Sequence, residues 1–312
     1  MEWWAILLII LFALLLICFI IGFLIWKKAM VTAKPETYLN SPTDDPIEIQ
    51  TREFEEKVDY SLKKMNLEDC WIKTRDGLNL HAYYRESSVR TNKVVISVHG
   101  WHGDALRTSA LHTHFLVDYS FNILFLDMRS YGQSEGKYTT YGIKDASDLL
   151  EWIDYVVDRF EGDVSIALLG LSMGGTTVCN VADRVPHQVK CIIDDCGFTS
   201  AYEELKHVLR TKKVPLAPFF LVFANIINIM VNKFSLKKES AIRSLEGSKV
   251  PVLFIHGAKD ELVPTYMAKQ NFNACTSEKA IQIFDNAPHA RSYFLNKEAY
   301  KKLVLDYLAR KL

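Results

Sequence analysis

Short apolar runs alternate with helical patterns over most of the chain, and this alternation constrains the fold more than any other feature. The helical patterns include residues 143–160, 173–185, 264–275 and 297–310. The runs are "KVVISVHG", "FNILFLDM", "DVSIALLG", "VKCIIDDCG", "PVLFIHG" and "KAIQIFDNAPH". Each run has the length of a buried strand. Strand–helix–strand alternation predicts an α/β fold with a mostly parallel sheet and helices on both faces.

Two further segments flank or interrupt this alternation. Ahead of it, "CWIKT" and "LNLHAYYR" flank Asp76 and Gly77, a pair that predicts a β-hairpin. Between the fourth and fifth runs, residues 198–249 contain helical patterns and no strand, which predicts a small helical cap. Residues 214–231 within it are uncharged. Their prolines and asparagines argue against a second membrane span, and a surface that dips into lipid is the alternative.

Residues 5–26 form an uncharged, strongly apolar segment. About 20 such residues suffice for a helix to cross a bilayer. Trp3, Trp4 and Trp26 bracket the segment, where an aromatic belt would lie. A cleaved signal peptide is the alternative, but it calls for a shorter apolar region and a basic leader, whereas Glu2 precedes this one. We therefore predict a retained, single-pass membrane anchor.

Charges next to this anchor predict its orientation. Lys27, Lys28 and Lys34 follow it, and no lysine or arginine precedes it. The positive-inside tendency then puts the folded domain in the cytoplasm. The predicted organisation is an anchor with its basic flank at 1–34, a tether and helix at 35–67, and a folded domain at 68–312 with the cap at about 198–249.

Composition excludes some partners and sites. The 37 lysines and arginines balance 37 aspartates and glutamates, so net charge gives no support to a nucleic-acid partner. The six cysteines form no Cys-x-x-Cys pair and lie mostly in apolar stretches. They predict buried thiols in a reducing compartment and no zinc or redox site.

One glycine-rich corner carries the strongest chemical signal. In "IALLGLSMGGTTVC", residues 166–179, the triplet Gly170, Ser172 and Gly174 fits Gly-x-Ser-x-Gly. The pattern alone is weak, and it also describes a simple tight turn. Here it falls between a predicted strand and a predicted helix, the setting of a nucleophilic serine on a strained corner.

A serine nucleophile needs a histidine base, and four histidines follow Ser172. On this kind of fold the chain order is serine, acid, histidine. His289 in "NAPHARSY" follows the last predicted strand and fits that order. His187 comes too early, His207 lies in the predicted cap, and His256 ends a strand where packing or a local hydrogen bond is the simpler role.

Asp260 is the candidate for the acid that orients the base. It lies in "HGAKDELVP", the loop after the fifth run, and precedes His289. Asp194 and Asp195 remain alternatives because they also end a strand after Ser172. Glu261 is a weaker alternative beside Asp260.

Backbone amides of Met173 and Trp101 are the predicted oxyanion hole. Met173 follows the nucleophile, and Trp101 lies in "VHGWHGD", the loop after the first run. The same loop contains His99 and His102, whose spacing also suggests a metal site. A zinc site would need a third ligand, and Asp104 is the only close candidate. We therefore predict no metal.

Five motifs in order resemble the α/β-hydrolase superfamily. They are "VHGWHGD", "DMRSYGQSEG", "GLSMGG", "HGAKDELVP" and "APHARSY". The chain is most similar to bacterial hydrolases related to serine aminopeptidases and acylaminoacyl-peptidase-like esterases, many of which carry an N-terminal apolar segment. The resemblance runs from about Cys70 to the C-terminus and implies Ser172, Asp260 and His289 as the triad.

The resemblance also implies roles outside the triad. The loop "DMRSYGQSEG" is structural in the family, so Asp127 and Arg129 are expected to hold loops. Ser130 stands where the family usually has glycine. Substrate choice in such families usually depends on the cap.

The predicted activity is hydrolysis of a carboxylic ester or thioester through an acyl-enzyme, with no cofactor. The expected substrate is a small molecule or an acyl or lipid ester. A serine peptidase is one alternative, in which Glu203 or Glu204 of the cap would bind a substrate amine. A non-catalytic membrane adaptor is the other, since fold alone does not establish activity.

Overall fold

A computed structural model describes residues 2–31, 43–108 and 112–312 of the chain, so Lys34 and much of the predicted tether lie outside the described residues. Eight strands form one sheet in the order β1-β2-β4-β3-β5-β6-β7-β8. They are β1 Glu68–Lys73, β2 Asn79–Arg85, β3 Lys93–Val98, β4 Asn122–Leu126, β5 Ser165–Leu171, β6 Val189–Asp195, β7 Val252–Gly257 and β8 Lys279–Phe284.

The sheet is parallel except at one edge. β2 pairs antiparallel with β1 and with β4, whereas the five other neighbouring pairs are parallel. The predicted hairpin is confirmed at β1 and β2, where Gly77 has a φ of 91°. Glycine adopts this left-handed conformation without the steric cost that a side chain would bring.

Helices cover both faces of the sheet, as predicted. They are α1 Trp3–Met30, α2 Pro46–Lys63, α3 Ile143–Arg159, α4 Met173–Cys179, α5 Ala201–Thr211, α6 Ala217–Asn232, α7 Ala241–Glu246, α8 Thr265–Ala274, α9 Ser292–Leu295 and α10 Lys297–Lys311. Successive residues of β3 point to opposite faces: Val94 and Ile96 join one buried cluster and Val95 joins the other. This alternation follows from the two-residue period of a strand.

Two predicted elements can be compared in detail. The helix expected over 173–185 ends at Cys179, because the next residues form tight turns in which the amides of Ala182 and Arg184 bond three residues back. Between β6 and β7 the structure has only helices, namely α5, α6 and α7.

Helix α1 is long and apolar enough to cross a membrane by length and composition. Its last turns pack against the rest of the protein, and Trp26 and Met30 are buried. Trp26 Nε1 donates a hydrogen bond of 3.1 Å to Asn228 Oδ1 on α6, and the amide of Thr139 donates one of 2.9 Å to the Met30 carbonyl. The end of the apolar helix is therefore a part of the folded domain.

Close packing of α1 on α6 predicts the effect of a substitution at Gly22. A Cβ at this position would lie 2.6 Å from Phe223 Cβ and 3.1 Å from the Ala224 amide nitrogen. We expect Gly22→Leu to lower the unfolding temperature in detergent, since overpacking costs about 1–3 kcal/mol. Ala13→Leu, the same kind of enlargement at an exposed position of α1, is the control. Equal unfolding temperatures for the two variants would contradict the packing.

Candidate active site

The corner between β5 and α4 holds Ser172 in an unusual backbone conformation. Its φ is 55° and its ψ is −114°, a conformation that costs a non-glycine residue about 1–3 kcal/mol. The amide of Ser172 donates a 2.7 Å hydrogen bond to the Asp195 carbonyl. At Gly174 a Cβ would lie 2.1 Å from the Val98 carbonyl oxygen, so glycine is required for β3 and α4 to approach. The corner is the strand–turn–helix setting expected of a nucleophile elbow.

Three of the predicted site residues are joined by hydrogen bonds. Ser172 Oγ lies 2.9 Å from His289 Nε2, and His289 Nδ1 lies 2.7 Å from Asp260 Oδ2. Asp260 follows β7 and His289 follows β8, so the three side chains meet at the carboxyl edge of the parallel strands. The geometry is that of a nucleophile, a base and a group that orients the base.

Asp260 is buried but keeps its charge. Its Oδ1 accepts hydrogen bonds from the amides of Leu262 (3.0 Å) and Val263 (2.8 Å). Burial raises the pKa of Asp260, but the attraction of His289 and the contact with His256 outweigh it and lower the pKa to about 2. An ionised carboxylate can orient the His289 ring and stabilise it when it takes up a proton.

His256 is a second histidine beside Asp260 that sequence reasoning left outside the site. Its Nε2 lies 2.8 Å from the Val263 carbonyl and 3.3 Å from Asp260 Oδ2. Burial lowers the pKa of His256, but Asp260 and the Val263 carbonyl favour the protonated ring and raise it overall. The motif "HGAKD", which puts the two residues four apart at a strand end, could have signalled this contact.

The alternative acids make hydrogen bonds away from His289. Asp194 Oδ1 accepts from the amide of Gly197, and Asp195 Oδ2 accepts from Tyr300 Oη, both at 2.8 Å. Burial raises the pKa of Asp194 to about 6 and that of Asp195 to about 7. These two carboxylates tie β6 to neighbouring elements, and Glu261 is exposed at the surface.

The loop after β3 lies directly against Ser172. A Cβ on Gly100 would be 3.3 Å from Ser172 Cβ, and the next residue, Trp101, lines the cavity in front of the serine. Met173 is the buried first residue of α4, and its sulfur lies 3.5 Å from Thr139 Oγ1. Both residues flank the nucleophile, and an oxyanion hole at their amides stays a prediction.

His99, one of the two histidines considered as metal ligands, is hydrogen-bonded within the protein. His99 Nδ1 lies 2.7 Å from the Gly100 carbonyl, and His99 Nε2 accepts a 3.0 Å hydrogen bond from the amide of Met128. Both ring nitrogens are thus engaged. Asp104 Oδ1 accepts from the amide of Arg107 at 2.7 Å.

The loop after β4 is held by charged side chains. Asp127 Oδ1 accepts from the Ala105 amide (2.9 Å), and its Oδ2 lies 2.7 Å from His81 Nδ1. Arg129 Nε donates to Asp148 at 2.6 Å. Ser130, where the family usually has glycine, has a φ of 66°, so it adopts the conformation that glycine would adopt more easily.

The cavity in front of Ser172 has one wall that the sequence did not predict. Its volume is about 480 Å³, and Ile47, Glu48 and Glu55 of α2 line it together with Ser172 and His289. Asp45 caps the first turn of α2 through the Ile47 amide. Glu48 Oε2 accepts a 2.6 Å hydrogen bond from Arg291, two residues after His289. Helix α2 therefore forms a wall of this cavity.

Known proteins are similar to this chain over much of its length. A family model described as serine aminopeptidase, S33, matches residues 90–244. YqkD of Bacillus subtilis is 26% identical over 279 residues, which cover 87% of this chain and 88% of that protein. YNL320W of Saccharomyces cerevisiae, named a membrane protein, is 23% identical over 198 residues, which cover 63% of this chain and 64% of that protein.

Solved structures give the same fold. The esterase Pf2001 of Pyrococcus furiosus matches with a TM-score of 0.64 at 23% identity, over 80% of this chain and 95% of that one. The acylaminoacyl peptidase of Pyrococcus horikoshii matches with a TM-score of 0.59 at 19% identity, over 81% of this chain and 43% of that one. The chain therefore has the α/β-hydrolase fold, and its residues 90–244 are similar to the serine aminopeptidase family, S33.

Proposed function

We propose that this chain is a serine hydrolase that cleaves a carboxylic ester or thioester through an acyl-enzyme intermediate. The observation that carries the proposal is the unbroken hydrogen-bond chain from Ser172 through His289 to Asp260. Ser172 and His289 line a cavity of about 480 Å³, which has the size of a small-molecule or acyl-chain site.

The first half of the reaction forms the acyl-enzyme. His289 Nε2 takes the proton from Ser172 Oγ as that oxygen attacks the substrate carbonyl carbon. Asp260 accepts from His289 Nδ1–H and stabilises the resulting imidazolium. The amides of Trp101 and Met173 donate to the developing oxyanion. His289 then gives its proton to the leaving alcohol or thiol as the bond to the carbonyl carbon breaks.

The second half returns the enzyme to its starting state. Water takes the place of the leaving group, gives a proton to His289 and attacks the acyl carbon. When the tetrahedral intermediate collapses, Ser172 Oγ leaves and recovers its proton from His289. Each step uses side chains, backbone amides and water of the site.

Ester substrates are favoured over peptides because the two cap acids are poorly suited to bind an amine. Glu203 already pairs with Lys206 at 2.9 Å. Burial, with a smaller contribution from Asp260, raises the pKa of Glu204 to about 8, so this side chain is mostly uncharged near neutral pH. Glu204 is not among the residues that line the cavity.

An aminopeptidase remains the second candidate because Glu55 lies on the cavity wall. Burial raises the pKa of Glu55 to about 7, although Arg291 lowers it. A substrate ammonium group would lower this pKa further and hold the carboxylate in its charged form. Hydrolysis of aminoacyl p-nitroanilides, absent in Glu55→Gln, would support this candidate.

We also propose that α1 anchors the protein in a membrane, with the hydrolase domain on the cytoplasmic side. The apolar helix and the relative named as a membrane protein support anchoring. Lys27 and Lys28 in the last turn of α1 support the orientation.

The serine assignment predicts covalent labelling by a fluorophosphonate. Wild-type protein should be labelled and should hydrolyse p-nitrophenyl esters, since Ser172 Oγ has a base within hydrogen-bond reach. Ser172→Ala should lose both properties, whereas Ser88→Ala, at an exposed position, should keep them. Labelling that persists in Ser172→Ala would disprove the assignment, and an unlabelled wild type would favour the adaptor.

The acid assignment predicts a large effect on turnover at Asp260. Asp260→Asn should lower kcat by about 10³–10⁴-fold with little change in KM, because the amide favours the wrong tautomer of His289. Glu261→Gln changes the exposed neighbour and is the control. Similar kcat values for the two variants would remove Asp260 from the mechanism.

Glu55 predicts a pH-dependent stability difference. A carboxylate whose pKa is raised to about 7 holds its proton more tightly in the folded state, so its ionisation destabilises the fold as pH rises from 4.5 to 7. Glu55→Gln should match wild type at pH 5 and gain about 1–3 kcal/mol in unfolding free energy at pH 8. Glu56→Gln, on the exposed side of α2, should show no such gain. A gain that is equal at both pH values would contradict the titration.

A further inference from the structure

Helix α6 has one buried face and one exposed apolar face. The buried face packs Leu221, Ala224 and Ile227 into the main core cluster. The outer face of α6 is defined by five side chains that are 37–63% exposed: Phe219, Val222, Ile226, Ile229 and Met230. Exposed apolar side chains in one contiguous strip mark a surface that meets something other than water.

Polar side chains of α6 point away from this outer face and bond within the protein. Asn225 Oδ1 accepts from the Leu236 amide at 2.7 Å. Asn228 Nδ2 donates to the Phe234 carbonyl at 2.8 Å, and Asn228 Oδ1 accepts from Trp26. Asn232 Nδ2 donates to Asn228 Oδ1 at 2.7 Å. The asparagine side chains of α6 therefore bond within the protein, and its outer face stays apolar.

Contacts with α1 fix the depth of α6 relative to the apolar helix. The rings of Phe19 and Phe223 lie 5.1 Å apart, and Gly22 faces Phe223. Phe19 and Gly22 precede Trp26 by four to seven residues, so Phe223 lies roughly 6–10 Å along α1 on the apolar side of Trp26. If Trp26 marks the membrane interface, the part of α6 around Phe223 lies on the hydrocarbon side of that interface.

Basic side chains flank α6 at both ends. Lys212 and Lys213 precede it, and Lys233, Lys237 and Lys238 follow it, all exposed. Lysines at the edges of an apolar helix suit the headgroup region, where their stems extend along hydrocarbon and their ammonium groups reach anionic lipids.

We propose that the outer face of α6 is a second lipid-contacting surface, inserted in the headgroup–acyl boundary of the bilayer that α1 crosses. The partner is the lipid itself. The inference rests on the proposed anchoring by α1 and goes beyond it, because α6 is too short to span and belongs to the folded domain. Helix α6 bonds to Trp26 near the end of α1, and Thr139 contacts both Met30 of α1 and Met173, so insertion of α6 holds the Ser172 corner near the membrane surface.

The test uses the full chain in nanodiscs of phosphatidylcholine and phosphatidylglycerol. In a Cys18→Ser background the five remaining cysteines are buried, so a single new cysteine can carry the fluorophore NBD. Val222→Cys and Ile229→Cys report the outer face of α6. Leu14→Cys reports α1, and Val89→Cys, 57% exposed on the loop between β2 and β3, is the control in water.

Lipids with nitroxide-labelled chains should quench NBD at positions 222 and 229 at least about twofold more than NBD at position 89. They should quench NBD at position 14 of α1 to the same degree. Quenching at 14 with both α6 positions behaving like 89 would overturn the inference and leave anchoring intact. Blue-shifted emission at 222 and 229 without lipid quenching would show that a second copy or another protein covers the face, which also overturns it. Absence of quenching at 14 would refute anchoring and the inference together, while fluorophosphonate labelling of the same samples tests the hydrolase site separately.

Discussion

The left-handed backbone at Ser172 is the constraint on which the rest of the site depends. Ser172, with a φ of 55°, is held in place by the hydrogen bond from its amide to the Asp195 carbonyl and by the contact of Gly174 with β3. A conformation that costs about 1–3 kcal/mol persists only where its surroundings over-determine it. Here three adjacent strands, β3, β5 and β6, fix the corner, so Ser172 Oγ is presented to the cavity without a flexible loop.

Electrostatics divide the buried carboxylates of this edge into two kinds. Burial raises the pKa of Asp194 and Asp195, which bond to neutral donors. Asp260 is also buried, yet His289 and His256 lower its pKa to about 2, and two backbone amides donate hydrogen bonds to its Oδ1. Different environments give neighbouring acids different pKa values, and these pKa values decide which group acts as an acid and which as a base. His256 therefore supports the site through Asp260, because it contacts Oδ2, the same oxygen that His289 contacts.

Sequence reasoning located Ser172, Asp260 and His289 because each lies just beyond a strand, and parallel strands bring their carboxyl ends to one edge. The wall formed by α2 could not be found in this way. Glu48 and Arg291 are 243 positions apart, and α2 carries charges on most faces, so no local pattern indicates which face it buries. The contact of α1 with α6 was hidden for a related reason. Two apolar helices have no polar pattern that indicates their register in the sequence, and the Trp26–Asn228 hydrogen bond joins residues 202 positions apart.

The loop between β4 and α3 connects the end of α1 to the corner that holds Ser172. At one end Asp127 binds His81 and the Ala105 amide, which fixes the loop to the sheet. At the other end the Thr139 amide bonds to the Met30 carbonyl, while Thr139 Oγ1 lies 3.5 Å from the sulfur of Met173. Thr139 thus contacts both the end of α1 and the residue that follows Ser172. Because the loop is held at both ends, the Ser172 corner cannot move far from the end of α1 without breaking hydrogen bonds on buried groups, which are costly to leave unpaired. The distance between Ser172 and the end of α1 is therefore set by the fold.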